Sequence, residues 1–464
     1  MFKMRWFLSF LLLCFSGAVH ALSTSGNRLL VVLEEAAEKD AYSTFWSDLE
    51  ARGFDISFES PKNDKLSLFH LGDRAYDHLL ILPPKSKGLG PSLTPKAIID
   101  FVNKDGNVLL ALSGKSPTPS SLSSLLLEFD LHLAPDRSSL VVDHFNYDTL
   151  SASEKHDVLL LERPGALRPD TKPYFSGDGV LAIPRAAPQT LGVEGSLIAP
   201  ILRAPETAYS YNVKEESAPV EDPFATGTQL ALVSALQARN SARFTVLGSV
   251  EALQDKWFSA TVKSPQDKKE TTTANREFAK QLTAWTFQEV GVIKVGKIEH
   301  RLVEEGQEGP LNPTIYRVKN DISFNIELSE YVYDKWVPFE VPSEDAVQLE
   351  FTMLSPFHRL NLQPVRRTDN STLYGVSFTV PDQHGIFSFR VNYKRPFLTN
   401  VEEKHEITIR HFAHNEYPRS WKISAAWPWI SGLYSVIGGF LAFVVVWLYS
   451  APSASAEARI KKVQ

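Results

Sequence analysis

Residues 27–35 read NRLLVVLEE, 78–82 read HLLIL and 107–112 read NVLLAL. Each is a short, continuous apolar run, the pattern of a strand covered on both faces rather than one with a solvent side. The segments between them carry helical spacing. Phe45, Trp46 and Leu49 share one face of a helix expected over Ala41–Arg52, and Gly53 ends it. A strand is expected at Phe54–Phe58. Pro83-Pro84 and a Gly-containing loop at Ser86–Pro91 lead to Thr94-Pro95, which starts a second helix with proline in its first turn and Ile98, Ile99 and Val102 as its apolar face. Asp105-Gly106 turns out of it. Ser120–Leu127 is a further helix and Ser139–Val142 a fifth strand. Strands alternating with helices predict an α/β doubly wound parallel sheet over residues 22–150.

The pattern changes after that. Residues 151–225 are rich in proline and glycine, with strand-like runs such as Gly179–Ile183, and read as a β-rich insertion or second lobe. A helix at Thr228–Asn240 and a strand at Arg243–Gly248 close the α/β part. Pro265–Thr273 is a polar loop. Asn275 stands where it would cap a helix carrying Phe278, Leu282 and Trp285 and ending near Gly291. Residues 151–300 are thus a β-rich insertion plus closing α/β elements. From Pro313 the period becomes two: Ile322, Phe324, Ile326 and Leu328 alternate with polar residues, as do Val347 to Met353 and Tyr374 to Val380. With Ile386–Tyr393 and Glu406–Arg410 they predict a β-sandwich over 310–410, followed by a stalk at 411–429.

The run Ile430–Tyr449, ISGLYSVIGGFLAFVVVWLY, holds no charged residue. Twenty helical residues span about 30 Å, the thickness of a bilayer's hydrocarbon core. Trp427, Trp429 and Tyr434 at one end and Trp447 and Tyr449 at the other form aromatic belts, so residues 430–449 read as one transmembrane helix. At the other terminus Lys3 and Arg5 precede the apolar Trp6–Phe15 and the small-residue pattern Val19-His20-Ala21. This predicts a signal peptide over 1–21, cleaved after Ala21. The body then lies in the endoplasmic reticulum lumen or outside, and 450–464 form a cytosolic tail. The single cysteine, Cys14, falls in the expected leader. That argues for large, well-cored domains without disulfides and against thiol catalysis. A net charge of −6 without a basic stripe argues against a nucleic-acid partner.

No catalytic, cofactor or metal constellation stands out. Gly114-Lys115-Ser116 has the ending of a phosphate-binding loop, but the glycine needed five residues earlier is Leu109. Glu34 and Glu35 end the first strand, where doubly wound sheets hold ligands, and also fit a solvated loop mouth. His411 and His414 lack a third ligand of convincing spacing. Asn370-Ser371-Thr372 is an acceptor for N-glycosylation, whereas Asn312-Pro313-Thr314 is excluded by its proline. Ser431, Ser435 and Gly439 form a small-residue stripe suited to packing against another membrane helix. Lys461 and Lys462, fourth and third from the end, match a dilysine retrieval signal for the endoplasmic reticulum.

The chain resembles the 48-kDa subunits of the eukaryotic oligosaccharyltransferase complex, and looks closest to the fungal members. The resemblance is carried by Arg52-Gly53-Phe54, by Val142-Asp143-His144-Phe145-Asn146-Tyr147 and by Leu236-Gln237-Ala238-Arg239-Asn240-Ser241-Ala242-Arg243. It continues in Lys335-Trp336-Val337-Pro338-Phe339, Gln348-Leu349-Glu350-Phe351 and Gly385-Ile386-Phe387-Ser388-Phe389. Phe145 departs from the second histidine expected in many relatives. The resemblance implies an accessory, non-catalytic subunit that supports transfer of a lipid-linked oligosaccharide from dolichyl diphosphate to Asn-x-Ser/Thr sequons. It implies as partners the catalytic multi-spanning subunit, a ribophorin II-like subunit and the small defender-against-death-like subunit. The first domain is also similar to the glutamine-amidotransferase-like fold, whose enzymes need a cysteine the mature chain lacks. Two rival readings are a lumenal hydrolase on the α/β domain and an independent cargo receptor or chaperone cycling by its dilysine tail.

Overall fold

The computed structural model describes residues 22–450 apart from 86–87, 137–138, 164–169, 193–196, 213–221, 267–268, 305–306, 343 and 418–425. The apolar runs of the first domain become strands β1 (Arg28–Val32), β2 (Asp55–Glu59), β3 (His78–Ile81) and β4 (Asn107–Ala111), with helices α1 (Ser43–Ala51), α2 (Pro95–Asn103) and α3 (Ser120–Glu128). The four strands pair in parallel in the order β2-β1-β3-β4. Successive residues of one strand feed opposite cores. Leu29 and Val31 pack with Phe45, Trp46 and Leu49 of α1, while Leu30 and Val32 pack with Ile98, Phe101 and Val102 of α2. Helices thus cover both faces, which is why these runs show no polar side. Local chemistry sets the helix ends: the Thr94 hydroxyl accepts from the Ala97 N–H at 3.2 Å, and Gly53 leaves α1 at φ 86°, a conformation glycine adopts without a Cβ clash.

Beyond α3 the chain adds β5 (Leu131–Leu133), β6 (Leu140–Val142), β7 (Val158–Glu162), β8 (Val180–Pro184), β9 (Gln189–Leu191), β10 (Ile198–Arg203), β11 (Tyr209–Tyr211), β12 (Ala231–Gln237) and β13 (Arg243–Leu247). β13 extends the parallel set beside β4. From there the sheet turns antiparallel, through β12, β9 and β5, with β10 also on β12, for nine strands in all. The domain is therefore mixed α/β, not wholly parallel. Two expectations are corrected. Ser139–Val142 does not supply a fifth parallel strand, because β6 pairs with β11 in a separate antiparallel ribbon. Thr228–Asn240 is not a helix but β12, preceded by a 3-10 turn at Gly227–Gln229. All seven residues of ALVSALQ are buried. It therefore has no polar face to reveal a period of two, while Ala, Leu and Gln favour a helix locally.

Helix α4 (Asn275–Thr286) packs Phe278, Leu282 and Trp285 into the core shared with α1. Asn275 is inside the helix and does not cap it. Its amide accepts from the Ala182 N–H at 2.9 Å and donates to the carbonyls of Ala182 at 2.7 Å and Ala252 at 3.3 Å. It thus satisfies the backbone of β8.

Apart from strands of two residues, the chain continues with β14 (Val290–Glu304), β15 (Ile315–Arg317), β16 (Asp321–Val332), β17 (Lys335–Pro338), β18 (Gln348–Thr352), β19 (Pro356–Asn361), β20 (Gln363–Arg367), β21 (Thr372–Thr379), β22 (Gly385–Tyr393) and β23 (Val401–Arg410). They form two antiparallel sheets, β14-β16-β21-β20 with β17 on β16, and β15-β23-β22-β18-β19. Phe324 stacks on Phe389 at 5.1 Å and Phe378 meets Phe351 edge-on at 5.1 Å, joining the sheets as a β-sandwich. The long β14 escaped the sequence reading because Gly291, Gly296 and register shifts after Val290 and Val295 break its alternation. The turn between β22 and β23 docks on the α/β domain, where the Trp285 Nε1–H donates to the Phe397 carbonyl at 2.9 Å. A second unit, residues 410–464, contains α5 (Trp427–Tyr449), whose apolar window has mean hydropathy 2.0. Among the described residues it is the one helix long and apolar enough to cross a membrane.

Candidate functional site at the strand ends

In a doubly wound sheet ligands collect outside the carboxyl ends of the strands, where the strand order reverses. Here that place lies between β1 and β3. Glu34 follows β1, accepts from the Lys85 N–H at 2.7 Å and pairs with the Lys62 ammonium at 2.6 Å. The Lys85 ammonium bridges Glu38 at 2.8 Å and Glu35 at 3.0 Å, and these two carboxylates hold it above its ordinary range. At the mouth predicted from Glu34 and Glu35, both carboxylates thus carry ion pairs.

The ends of β4 and β13 are occupied in the same way. Glu251 receives Lys115 at 3.1 Å and the Nε of Arg185 at 2.9 Å, and Arg185 reaches Asp157 at 3.8 Å. Burial works against the Glu251 charge, yet Arg185 and Lys115 hold its carboxyl below the usual range. Gly114 is a packing position: its N–H donates to the Arg185 carbonyl at 3.0 Å, and a Cβ there would sit 2.9 Å from that oxygen. No helix opens at Ser116, since α3 begins four residues later. The geometry needed to wrap a phosphate is not formed at Gly114-Lys115-Ser116.

Beside β6 lies a cluster of aromatic and imidazole side chains. Buried Asp143 pins the loop by accepting from the Phe145 N–H at 2.7 Å, the Asn146 N–H at 3.2 Å and the Thr207 hydroxyl at 2.7 Å. His144 then meets the Tyr209 hydroxyl at 2.9 Å through Nε2 and His156 through Nδ1, and His156 stacks on Tyr147 at 3.9 Å. Phe145 points to solvent. The phenylalanine does not leave His144 without an imidazole partner, because His156 supplies one from twelve residues on. Nothing local to either histidine in the sequence marks that pairing.

Two arginines, the half-buried Arg52 and the buried Arg243, were also missed as structural centres. Arg52 donates to Glu289 at 2.9 Å and to Thr283 at 2.7 Å, joining α1 to α4 and the start of β14. Burial raises the Glu289 carboxyl although Arg52 opposes it. Arg243 donates to the carbonyls of Trp285, Val290 and Gly291, the last two at 2.7 Å. Burial pushes its guanidinium down to about 9. Both lie in segments that carry the resemblance noted above.

Other predicted positions are separate from these. Asn370 is exposed in the turn between β20 and β21, while the Ser371 hydroxyl donates to Glu327 at 2.5 Å and Thr372 is buried. Ser431, Ser435 and Gly439 follow one another at four-residue spacing on α5, and a Cβ at Gly439 would meet nothing within 4 Å. His411 and His414 lie in the second unit, and among the described residues no group of three His, Cys, Asp or Glu could hold a metal. Ala21, Lys461 and Lys462 lie outside the described residues.

Comparison with known proteins supplies what the geometry alone does not name. The OST48 N-terminal domain model matches residues 20–289 and the OST48 middle domain model residues 300–451. The glycosyltransferase subunit wbp1 of Schizosaccharomyces pombe is 37% identical over 91% of this chain and 92% of its own length. The 48 kDa subunit of dolichyl-diphosphooligosaccharide–protein glycosyltransferase from Caenorhabditis elegans is 32% identical over 96% of both chains. That of Arabidopsis thaliana is 31% identical over 94% of this chain and 96% of its own. A ThuA-like protein of Parabacteroides merdae aligns over 48% of this chain and 78% of its own at 15% identity, with a TM-score of 0.27, too low to assign a fold. Matched along nearly its whole length, the chain belongs to the OST48 family, that of the 48 kDa subunits of dolichyl-diphosphooligosaccharide–protein glycosyltransferase.

Proposed function

We propose that the chain is an accessory, non-catalytic subunit of the oligosaccharyltransferase complex. It supports transfer of oligosaccharide from dolichyl diphosphate to Asn in Asn-x-Ser/Thr sequons of nascent proteins. The carrying observation is the pair of OST48 models that together run from residue 20 to residue 451. The strand-end geometry fits a non-catalytic part: Glu34, Glu35 and Glu251 are held by Lys62, Lys85, Lys115 and Arg185 rather than left for a substrate. The parallel strand order β2-β1-β3-β4-β13 suits a glutamine-amidotransferase-like scaffold. The only cysteine is Cys14, so such a scaffold would be without its nucleophile.

In this reading α5 spans the endoplasmic reticulum membrane, the body lies in the lumen and 450–464 is cytosolic. The leader is removed after Ala21, and Lys461 and Lys462 retrieve the protein. Asn370 carries an N-glycan. The Ser431–Ser435–Gly439 face packs against a membrane helix of a partner. The partners are the catalytic multi-spanning subunit, a ribophorin II-like subunit and a defender-against-death-like small subunit. Depleting the chain lowers sequon occupancy on secreted glycoproteins, read by mass spectrometry; unchanged occupancy contradicts the proposal. Asn370→Gln removes the mobility shift seen on glycosidase treatment; the absence of any shift in the parent chain refutes the glycan.

A further inference from the structure

The turn that carries Asn370 opens beside a groove in the sandwich. Residues 368–371 join β20 to β21. Arg367 opposes Thr372 at the base of the turn, and the Thr368 N–H donates to the Ser371 carbonyl at 2.8 Å. Both base residues line a groove of about 420 Å³, with Glu340, Gln363, Pro364 and Tyr374. That volume falls in the range of small-molecule sites, about 300–1,000 Å³. Two residues of chain reach at most about 7 Å, so the backbone of Asn370 lies no farther than that from Thr372.

The groove has two walls. One is β20 and β21, where Thr372 and Tyr374 share the inner face and are each 4% exposed. The other is the segment 339–341. The Tyr374 hydroxyl holds it by donating to the Phe339 carbonyl at 3.0 Å and accepting from the Val341 N–H at 3.3 Å. Arg367 and Glu340 pair between the walls. Gln363 is exposed, and the buried Thr372 hydroxyl has no partner among the described residues. An amide, a guanidinium–carboxylate pair and a hydroxyl thus converge beside Pro364 and Tyr374. That mixture suits a ligand rich in hydroxyl and amide groups that also has an apolar face.

We propose that this groove seats the proximal N-acetylglucosamine of a glycan carried on Asn370. Attachment a few ångströms away makes the binding intramolecular, at an effective concentration in the millimolar range, so a weak site is filled. The seat also has a structural consequence. β20 is an edge strand, paired only with β21 and exposed at all five residues. A sugar held between β20 and segment 339–341 binds only the closed form and slows local opening of the edge. The proposal rests on the reading of Asn370 as glycosylated and is independent of the oligosaccharyltransferase assignment.

The test is amide hydrogen exchange of residues 363–367 in the full chain, solubilised in digitonin. Three forms are compared: glycosylated, trimmed by endoglycosidase H to the first N-acetylglucosamine, and Asn370→Gln. Seating predicts exchange several-fold slower in the first two forms than in Asn370→Gln. Gln363→Ala should abolish most of that difference while leaving exchange in the Asn370→Gln chain unchanged. Equal exchange with and without the glycan overturns the seating. So does a Gln363→Ala effect of the same size in both backgrounds, and so does protection that is lost on trimming, which would place outer sugars on the body instead. If glycosidase leaves the mobility of the parent chain unchanged, the glycan reading fails and the seating with it. A mobility shift without protection of 363–367 rejects the seating alone.

Discussion

Arg52 and Glu289 show how one pair can matter more than its number of contacts. The Arg52 side chain is 11% exposed and the Glu289 side chain not at all. Removing one partner of a buried pair strands the other charge, at a cost of about 3–5 kcal/mol. Arg52→Ala is therefore expected to lower unfolding free energy by that amount in urea titration, and Arg52→Ala with Glu289→Gln to recover part of it. No recovery in the double variant would mean that Arg52 acts through Thr283 and packing instead. His78 supplies a pH dependence. It is fully buried, contacts the Gly26 carbonyl at 3.0 Å and Ser23 at 3.1 Å, and burial pushes its imidazole down to about 4. The unfolded imidazole titrates near 6.5, so between those values unfolding takes up a proton and stability rises with pH. The contribution is intact above pH ~6.5 and lost as pH falls toward about 4, by about 3 kcal/mol for a shift of this size. His78→Gln should flatten the fall in urea midpoint between pH 6.5 and 4; an unchanged slope would assign the effect to other groups. His300, also pushed down to about 4 by burial, adds to the same slope in the parent chain.

Elements that pack on two sides were legible as strands but not always as the right element. LLVV, HLLI and NVLLA stood out because both neighbours of each strand are apolar layers. ALVSALQ in β12 has the same burial, yet its residues favour helix locally, and only the antiparallel pairing with β13 and β10 decides it. β16, β18, β21, β22 and β23 were legible through period two; β14, whose two glycines hide it, and the short or largely exposed β15, β17, β19 and β20 were not. Neither His144–His156 nor Arg243 could be found locally, because their partners lie 12 and more than 40 residues away. At α5, the small-residue face is expected to dock. Gly439→Leu and Ser435→Leu should leave membrane integration unchanged under carbonate extraction while lowering recovery of partner subunits several-fold in digitonin. Full recovery would mean the face points to lipid. At the domain junction, Arg243 places a cation at the carboxyl end of α4 and lies over the Trp285 ring at 4.7 Å. Hydrogen bonds from a charged donor contribute about 1.5–3 kcal/mol each. Arg243→Met should therefore destabilise the body by at least that much, in the urea midpoint of the full chain; a change within 0.5 kcal/mol, about the level of a surface substitution, would contradict it.

For the whole molecule, a sheet with helices on both faces, a sandwich and an apolar helix were readable from one sequence, whereas strands from the region read as a second lobe join the first sheet. Reading the sheet as wholly parallel failed because its antiparallel part is built from β9 and β10 of the proline-rich region and from β5 and β12 on either side of it, whose pairing partners are distant in sequence. The ion pairs that hold Glu34, Glu35 and Glu251 were not legible, because Lys62, Lys85, Lys115 and Arg185 come from other loops. Addressing belongs to this scale as well. Replacing Lys461 and Lys462 by Ser is expected to let a reporter bearing this tail reach the cell surface, measured by surface labelling, and continued retention would refute a dilysine signal. The most direct test of the central claim is affinity purification of the full chain from detergent-solubilised microsomes, followed by assay of oligosaccharide transfer to an Asn-x-Thr peptide. The account predicts that transfer activity is enriched with the chain. A chain recovered intact and without that activity, under conditions that keep the complex assembled, would contradict it.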